Sequence, residues 1–91
     1  MWSIKVSKKA DKNLQQLPSA VQRAFAALTD DLTRNGPVAG NWPNYGKLSD
    51  NRHHCHLKKG RPTYVSVWWE VKKEERCIEV TYVGTHEKAP Y

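Results

Sequence analysis

An α+β domain is predicted, with element order β-α-α-β-β-β, a mostly antiparallel sheet and two antiparallel helices packed on one face. Three observations predict it. Apolar residues recur at helical spacing only between Ala10 and Leu32. Before and after that region they alternate at strand spacing, and clusters of Gly, Pro, Asn and Lys separate the later strands. A length of 91 residues allows one domain with one core, residues 1–91.

Taken in order, Trp2, Ile4 and Val6 alternate with Ser3 and Lys5, which predicts a half-buried strand with its apolar face on the even residues. Ser7 then caps a short helix in which Ala10, Leu14 and Leu17 share one side, and Pro18 closes it. Ser19-Ala20-Val21-Gln22 has the capping-box pattern, and Val21, Phe25, Leu28 and Leu32 follow on one helical stripe. Asn35-Gly36-Pro37 ends this second helix, since glycine accepts the left-handed cap conformation and proline cannot continue a helix. The tight turn between the helices makes them an antiparallel pair with a shared apolar face.

Residues 37–46 are rich in turn formers and hold Trp42 and Tyr45, which either staple the loop to the core or stand exposed for stacking. From Lys47 the chain enters the sheet. His53, Cys55 and Leu57 form the better core face of the next strand, which leaves His54, His56 and Lys58 on the face opposite the helices. Lys59-Gly60-Arg61-Pro62 reverses the chain, and Thr63–Glu70 alternates Val65, Val67 and Trp69 with Tyr64, Ser66, Trp68 and Glu70. After the charged turn Lys72-Lys73-Glu74-Glu75, the last strand, Cys77–Thr85, alternates Ile78, Val80 and Tyr82 with Glu79, Thr81 and Val83.

A formal net charge of +6 favours an anionic partner, nucleic acid first. No apolar run approaches the roughly 18 residues of a membrane span, and Met1-Trp2-Ser3-Ile4-Lys5 opens a strand instead of a signal peptide. A cytoplasmic protein with no membrane partner is the expectation. Cys55 and Cys77 are too few for a disulfide scaffold and read as reduced apolar side chains.

Lys47, Arg52, His54, His56, Lys58, Lys59 and Arg61 place donors along one hairpin, with alternate residues roughly 6.5–7 Å apart, a spacing comparable to that of successive phosphates on a single strand. Tyr64 and Trp68 on the following strand offer faces for base stacking, so RNA binding is the functional expectation and a solvated charged face the bland one. Zinc is not expected: consecutive strand residues face opposite ways, and nothing at metal-ligand spacing completes a set begun by His54 and His56. The carboxylates are scattered, so a two-metal nuclease is not expected either, and no cofactor is predicted. Metal-independent RNA cleavage needs a base for the 2′-OH proton, a cation for the phosphorane and an acid for the leaving oxygen. Histidines 54, 56 and 86, arginines 52 and 61, and Tyr91 are the side chains of the right chemistry.

The basic hairpin running into Lys59-Gly60-Arg61-Pro62-Thr63-Tyr64-Val65, and above all the closing Tyr82-Val83-Gly84-Thr85-His86-Glu87-Lys88-Ala89-Pro90-Tyr91, resemble the RelE/ParE superfamily of bacterial type II toxins, on the RelE-like side. The resemblance covers nearly the whole chain. It implies a hydrolase-class mRNA interferase that enters the ribosomal A site and inhibits translation by cleaving mRNA without a metal, leaving a cyclic or 3′-phosphate and a 5′-hydroxyl. It further implies a cognate antitoxin that blocks the toxin, the complex binding operator DNA through the antitoxin. By the same resemblance Arg61 matches the phosphate-binding arginine, His86 the acid or base after the last strand, and Tyr91 a tyrosine used for stacking or proton transfer. His54, His56 and Lys58 occupy the strand where RelE-like toxins carry lysines, arginines or a carboxylate. Two alternatives remain: a ParE-like gyrase inhibitor, which shares the fold, and a non-catalytic RNA-binding or antitoxin-binding module.

Overall fold

In the computed structural model, which describes residues 1–58, 60–72 and 74–91, the chain runs β1 (Ser3–Val6), α1 (Lys8–Leu14), α2 (Ser19–Asn35), β2 (Gly46–Lys47), β3 (Arg52–Lys58), β4 (Tyr64–Lys72) and β5 (Cys77–Thr85), then a 3-10 turn, His86–Lys88. The fold class and element order are as predicted, with one addition: the two-residue strand β2 on the edge of the sheet. Strand order is β1-β5-β4-β3-β2, antiparallel except where β1 joins β5 in parallel.

Both helix starts show what their sequences allow. Ser7 Oγ accepts from the Ala10 amide at 3.1 Å, the expected cap of α1. The capping box expected at Ser19 does not form. Pro18 is the cap residue, Ser19 already lies in the helix, and the Gln22 amide instead donates to the Leu17 carbonyl at 3.0 Å. α1 also ends earlier than expected, at Leu14, in a turn that carries the chain to Pro18. Gly36, at φ +88°, ends α2; its bare α-carbon receives the Trp2 indole, whose Nε1 would lie 2.9 Å from a β-carbon there.

α2 lays Val21, Phe25, Leu28 and Leu32 on one side of the sheet, against Cys55, Leu57, Trp68, Ile78, Val80 and Val83. The loop aromatics staple. Trp42 donates its indole N–H to Asp31 at 2.7 Å, and the Tyr45 hydroxyl meets His53 Nδ1 at 2.7 Å.

Strand pairing decides which side chains share a face, and here two expectations are corrected. His53 pairs with Trp68 and Cys55 with Ser66, so Tyr64, Ser66, Trp68 and Glu70 point toward the helices, and Val65, Val67 and Trp69 point away. On β5 an irregularity opposite Val67 and Trp68 leaves Thr81 unpaired. Past it the alternation changes phase: Val83 enters the core, and Tyr82, expected beside Val80, moves to the opposite face.

Candidate active site

The face away from α2 is built from two cross-strand rows. His54, Val67 and Tyr82 form one row, and His56, Val65 and Gly84 the other. Val65 and Val67 are fully buried yet stand apart from the helix-side core, because the histidines and the chain's closing segment cover them. Glycine at 84 leaves room for two side chains: a β-carbon there would lie 2.6 Å from Asn13 Nδ2 and 2.7 Å from the Tyr82 hydroxyl, and both would have to move. That hydroxyl donates to the Thr85 carbonyl at 2.7 Å. Gly46 makes similar room for His54, whose Nε2 would lie 3.2 Å from a β-carbon.

The closing segment then folds back over these rows. The His86 amide donates to the Thr63 carbonyl at 2.9 Å, and the Ala89 amide closes the turn on the His86 carbonyl at 3.1 Å. His86 comes to rest with its ring centroid 5.6 Å from that of His56, at an interplanar angle of 72°. Tyr91 lies 4.8 Å from His54 and 5.9 Å from His86, centroid to centroid. Residues 54, 56, 86 and 91, singled out from sequence, therefore form one cluster. Of this cluster Arg61 neighbours His86: from the hairpin turn it shares with Pro62, Thr63, Thr85, His86 and Glu87 a cleft of about 250 Å³.

The environments of the histidines differ. Burial lowers the pKa of His54, with the charges of His56 and His86 adding to the effect. His54 Nδ1 is buried with no hydrogen-bond partner among the described residues. Burial also lowers the pKa of His56, with His86 as the second cause. Tyr91, 47% exposed, is raised by burial of its inner side. Cys55, on the helix side, is a buried thiol pushed up to about 12 and takes no part.

Several expected binding residues fall elsewhere. Trp68 is 0% exposed and donates its indole N–H to the Pro37 carbonyl at 2.9 Å, so it has no face to offer a base. Tyr64 packs against the helix-side core. Lys47 pairs with His53 and so shares the helix-side face, at the exposed edge of the sheet. Lys58 is exposed at the end of β3, and Lys59 lies outside the described residues.

Arg52 is on the histidine face, paired with Trp69, but lines a separate groove of about 780 Å³ between α1 and the sheet. Lys9, Lys12, Trp69, Tyr82 and Lys88 line it too, and sequence reasoning assigned none of these to a site. Among the described residues no group of three or more His, Cys, Asp or Glu side chains is placed to share a metal ion.

Compared by sequence, the chain matches no family model and no curated protein. Compared by structure, it is similar to archaeal RelE from Pyrococcus horikoshii, solved in complex with RelB, at a TM-score of 0.70 and 19% identity over 97% of this chain and 98% of that one. YoeB from Staphylococcus aureus, solved as a dimer, has a TM-score of 0.70 and 19% identity over 93% and 97% of the two chains. A metal-bound toxin from Helicobacter pylori has a TM-score of 0.67 and 27% identity over 97% and 98%. The chain has the RelE/YoeB-like type II toxin fold.

Proposed function

We propose that the protein is the toxin of a type II toxin-antitoxin pair, a metal-independent endoribonuclease that cleaves mRNA in the ribosomal A site and is held in check in the cytoplasm by a cognate antitoxin. One observation carries the reading: the closing segment brings His86 and Tyr91 onto His54 and His56, with Arg61 sharing a cleft with His86. The toxin fold supports it, and so does the archaeal RelE of that fold, which is bound to RelB.

The chemistry follows from the differences among these side chains. Arg61 holds the nonbridging phosphate oxygens through two guanidinium N–H groups. His56, kept neutral by burial and by the nearby His86, accepts the 2′-OH proton. The 2′-oxygen attacks phosphorus, the bond to the 5′-oxygen breaks, and His86 on the other side donates the proton that the leaving oxygen takes up. The products are a 2′,3′-cyclic phosphate and a 5′-hydroxyl, with no water consumed. The ring of Tyr91 stacks on a base, supported from beneath by His54.

Arg61→Ala and His86→Ala should each abolish growth arrest on expression, with cleavage slowed by about 10²–10⁴-fold for the histidine variant and the thermal midpoint unchanged. Mapping the 5′ ends of cellular mRNA after induction tests the reading directly. New ends within codons are expected; intact mRNA with altered DNA supercoiling would replace this reading with gyrase inhibition.

A further inference from the structure

We propose that the groove between α1 and the sheet binds the single-stranded RNA that flanks the scissile bond, an extension that rests on the endoribonuclease reading of the neighbouring cluster. α1 follows the edge of β5 beyond the point where β1 stops pairing at Val80, with the Asn13 side-chain amide donating to the Val83 carbonyl. It thereby walls a groove of about 780 Å³ whose floor is the histidine face of the sheet.

The lining has the chemistry of a nucleic-acid track. Lys9 and Lys12 stand on the helix wall, Arg52 on β3 and Lys88 on the closing segment, and among the described residues that line the groove none is a carboxylate. Between these cations lie the rings of Trp69 and Tyr82. The Trp69 indole N–H is anchored to Glu79 Oε1 at 3.0 Å, which fixes the ring and lowers the entropic cost of stacking a base on it. Cations that track a backbone, combined with aromatic platforms, are what sequence-tolerant binding of a single strand requires.

The groove also adjoins the site of cleavage. Pro90 lines it and is followed by Tyr91, whose ring lies tilted against His54, while the hydroxyl of Tyr82 bonds the Thr85 carbonyl next to His86. An acidic protein segment would satisfy the same cations, but this adjacency to a site for phosphodiester chemistry favours the substrate itself.

The test is fluorescence anisotropy with a labelled single-stranded RNA of about ten nucleotides, using the full chain silenced by His56→Ala. In that background Trp69→Ala should weaken binding by about 5- to 150-fold and Trp69→Phe should restore most of it. Lys9→Ala with Lys12→Ala should make the salt dependence of log Kd shallower by about 1.4. A control that removes the same net charge elsewhere, Arg23→Ala with Arg34→Ala on the exposed side of α2, should leave the affinity close to that of the parent. Equal effects of the two double variants, or unchanged affinity in Trp69→Ala, would overturn the groove. So would variants that lose only an acidic protein partner. Cleavage of the same RNA by the unsilenced chain is read separately: its absence alongside groove-dependent binding would end the nuclease assignment and leave the groove standing.

Discussion

At the scale of single residues, the cluster separates four similar side chains by their surroundings. Two histidines one residue apart on a strand share a face, but Tyr91 covers His54, and His56 faces His86. Each lowered pKa has burial as its first cause, and the positive charge of a neighbouring imidazole adds to it. A base whose pKa lies below the ordinary value stays unprotonated to lower pH, so the acid limb of kcat/KM should fall below about pH 6.5. His86→Ala removes one of the two causes acting on His56. Its imidazole should then titrate closer to the ordinary value, part of the shift remaining because burial remains. Titration of the His56 ring by NMR in both proteins reads this directly; an unchanged or lower midpoint in the variant would separate the two rings and dissolve the proposed acid-base pair.

At the scale of elements, the deciding variable is which way each strand faces. Along β3 the alternation was legible because only one set, His53, Cys55 and Leu57, makes an apolar row. On β4 both sets are apolar enough to bury: Val65, Val67 and Trp69 against Tyr64, Ser66 and Trp68. Only the register with β3, where His53 meets Trp68, breaks that tie, and alternation within one strand carries no register. The displaced phase of β5 was equally invisible, since nothing in Val80-Thr81-Tyr82-Val83 marks the extra residue. The groove escaped notice for a related reason: Lys9 and Lys12 look like the solvated side of an amphipathic helix until the helix is laid along β5. By contrast α2 was legible through its four-residue stripe, and His86 and Tyr91 through family resemblance, although their convergence on β3 depends on the turn at 86–88. The corrected place of Trp68 has an energetic consequence. Trp68→Ala should cost about 3–5 kcal/mol, as expected for emptying a core site of this size, whereas a stacking residue on an open face would cost far less; urea titration of the variant distinguishes the two.

At the scale of the whole molecule, the same burial that tunes the site sets the pH range in which the fold is stable. His53 is fully enclosed, its ring packed with those of Tyr45 and Trp68 in a cluster of three. Its Nδ1 lies 2.7 Å from the Tyr45 hydroxyl and its Nε2 3.4 Å from Glu70 Oε1, so a neutral ring with its proton on Nε2 accepts from Tyr45 and donates to Glu70. Burial lowers its pKa, Glu70 opposes that and Lys47 adds to it. His54 and His56 are lowered as well. For all three the unfolded chain takes up protons first as pH falls below the ordinary value of 6.5, so stability declines from there downward. The opposite limb belongs to groups whose folded pKa is raised. Cys55 goes from 9.0 to about 12, and burial raises Tyr45, Tyr82 and Tyr91 above 10.0. The unfolded chain loses those protons first, and stability falls as pH rises past 9. Thermal unfolding should therefore show a plateau between about pH 6.5 and 9 with losses on both sides. His53→Phe, which keeps a ring in the stack and cannot take up a proton, should flatten the acid limb. If the acid limb were as steep without His53 as with it, the loss would belong to the open-face histidines, and Tyr91→Ala, which uncovers His54, should then reduce it.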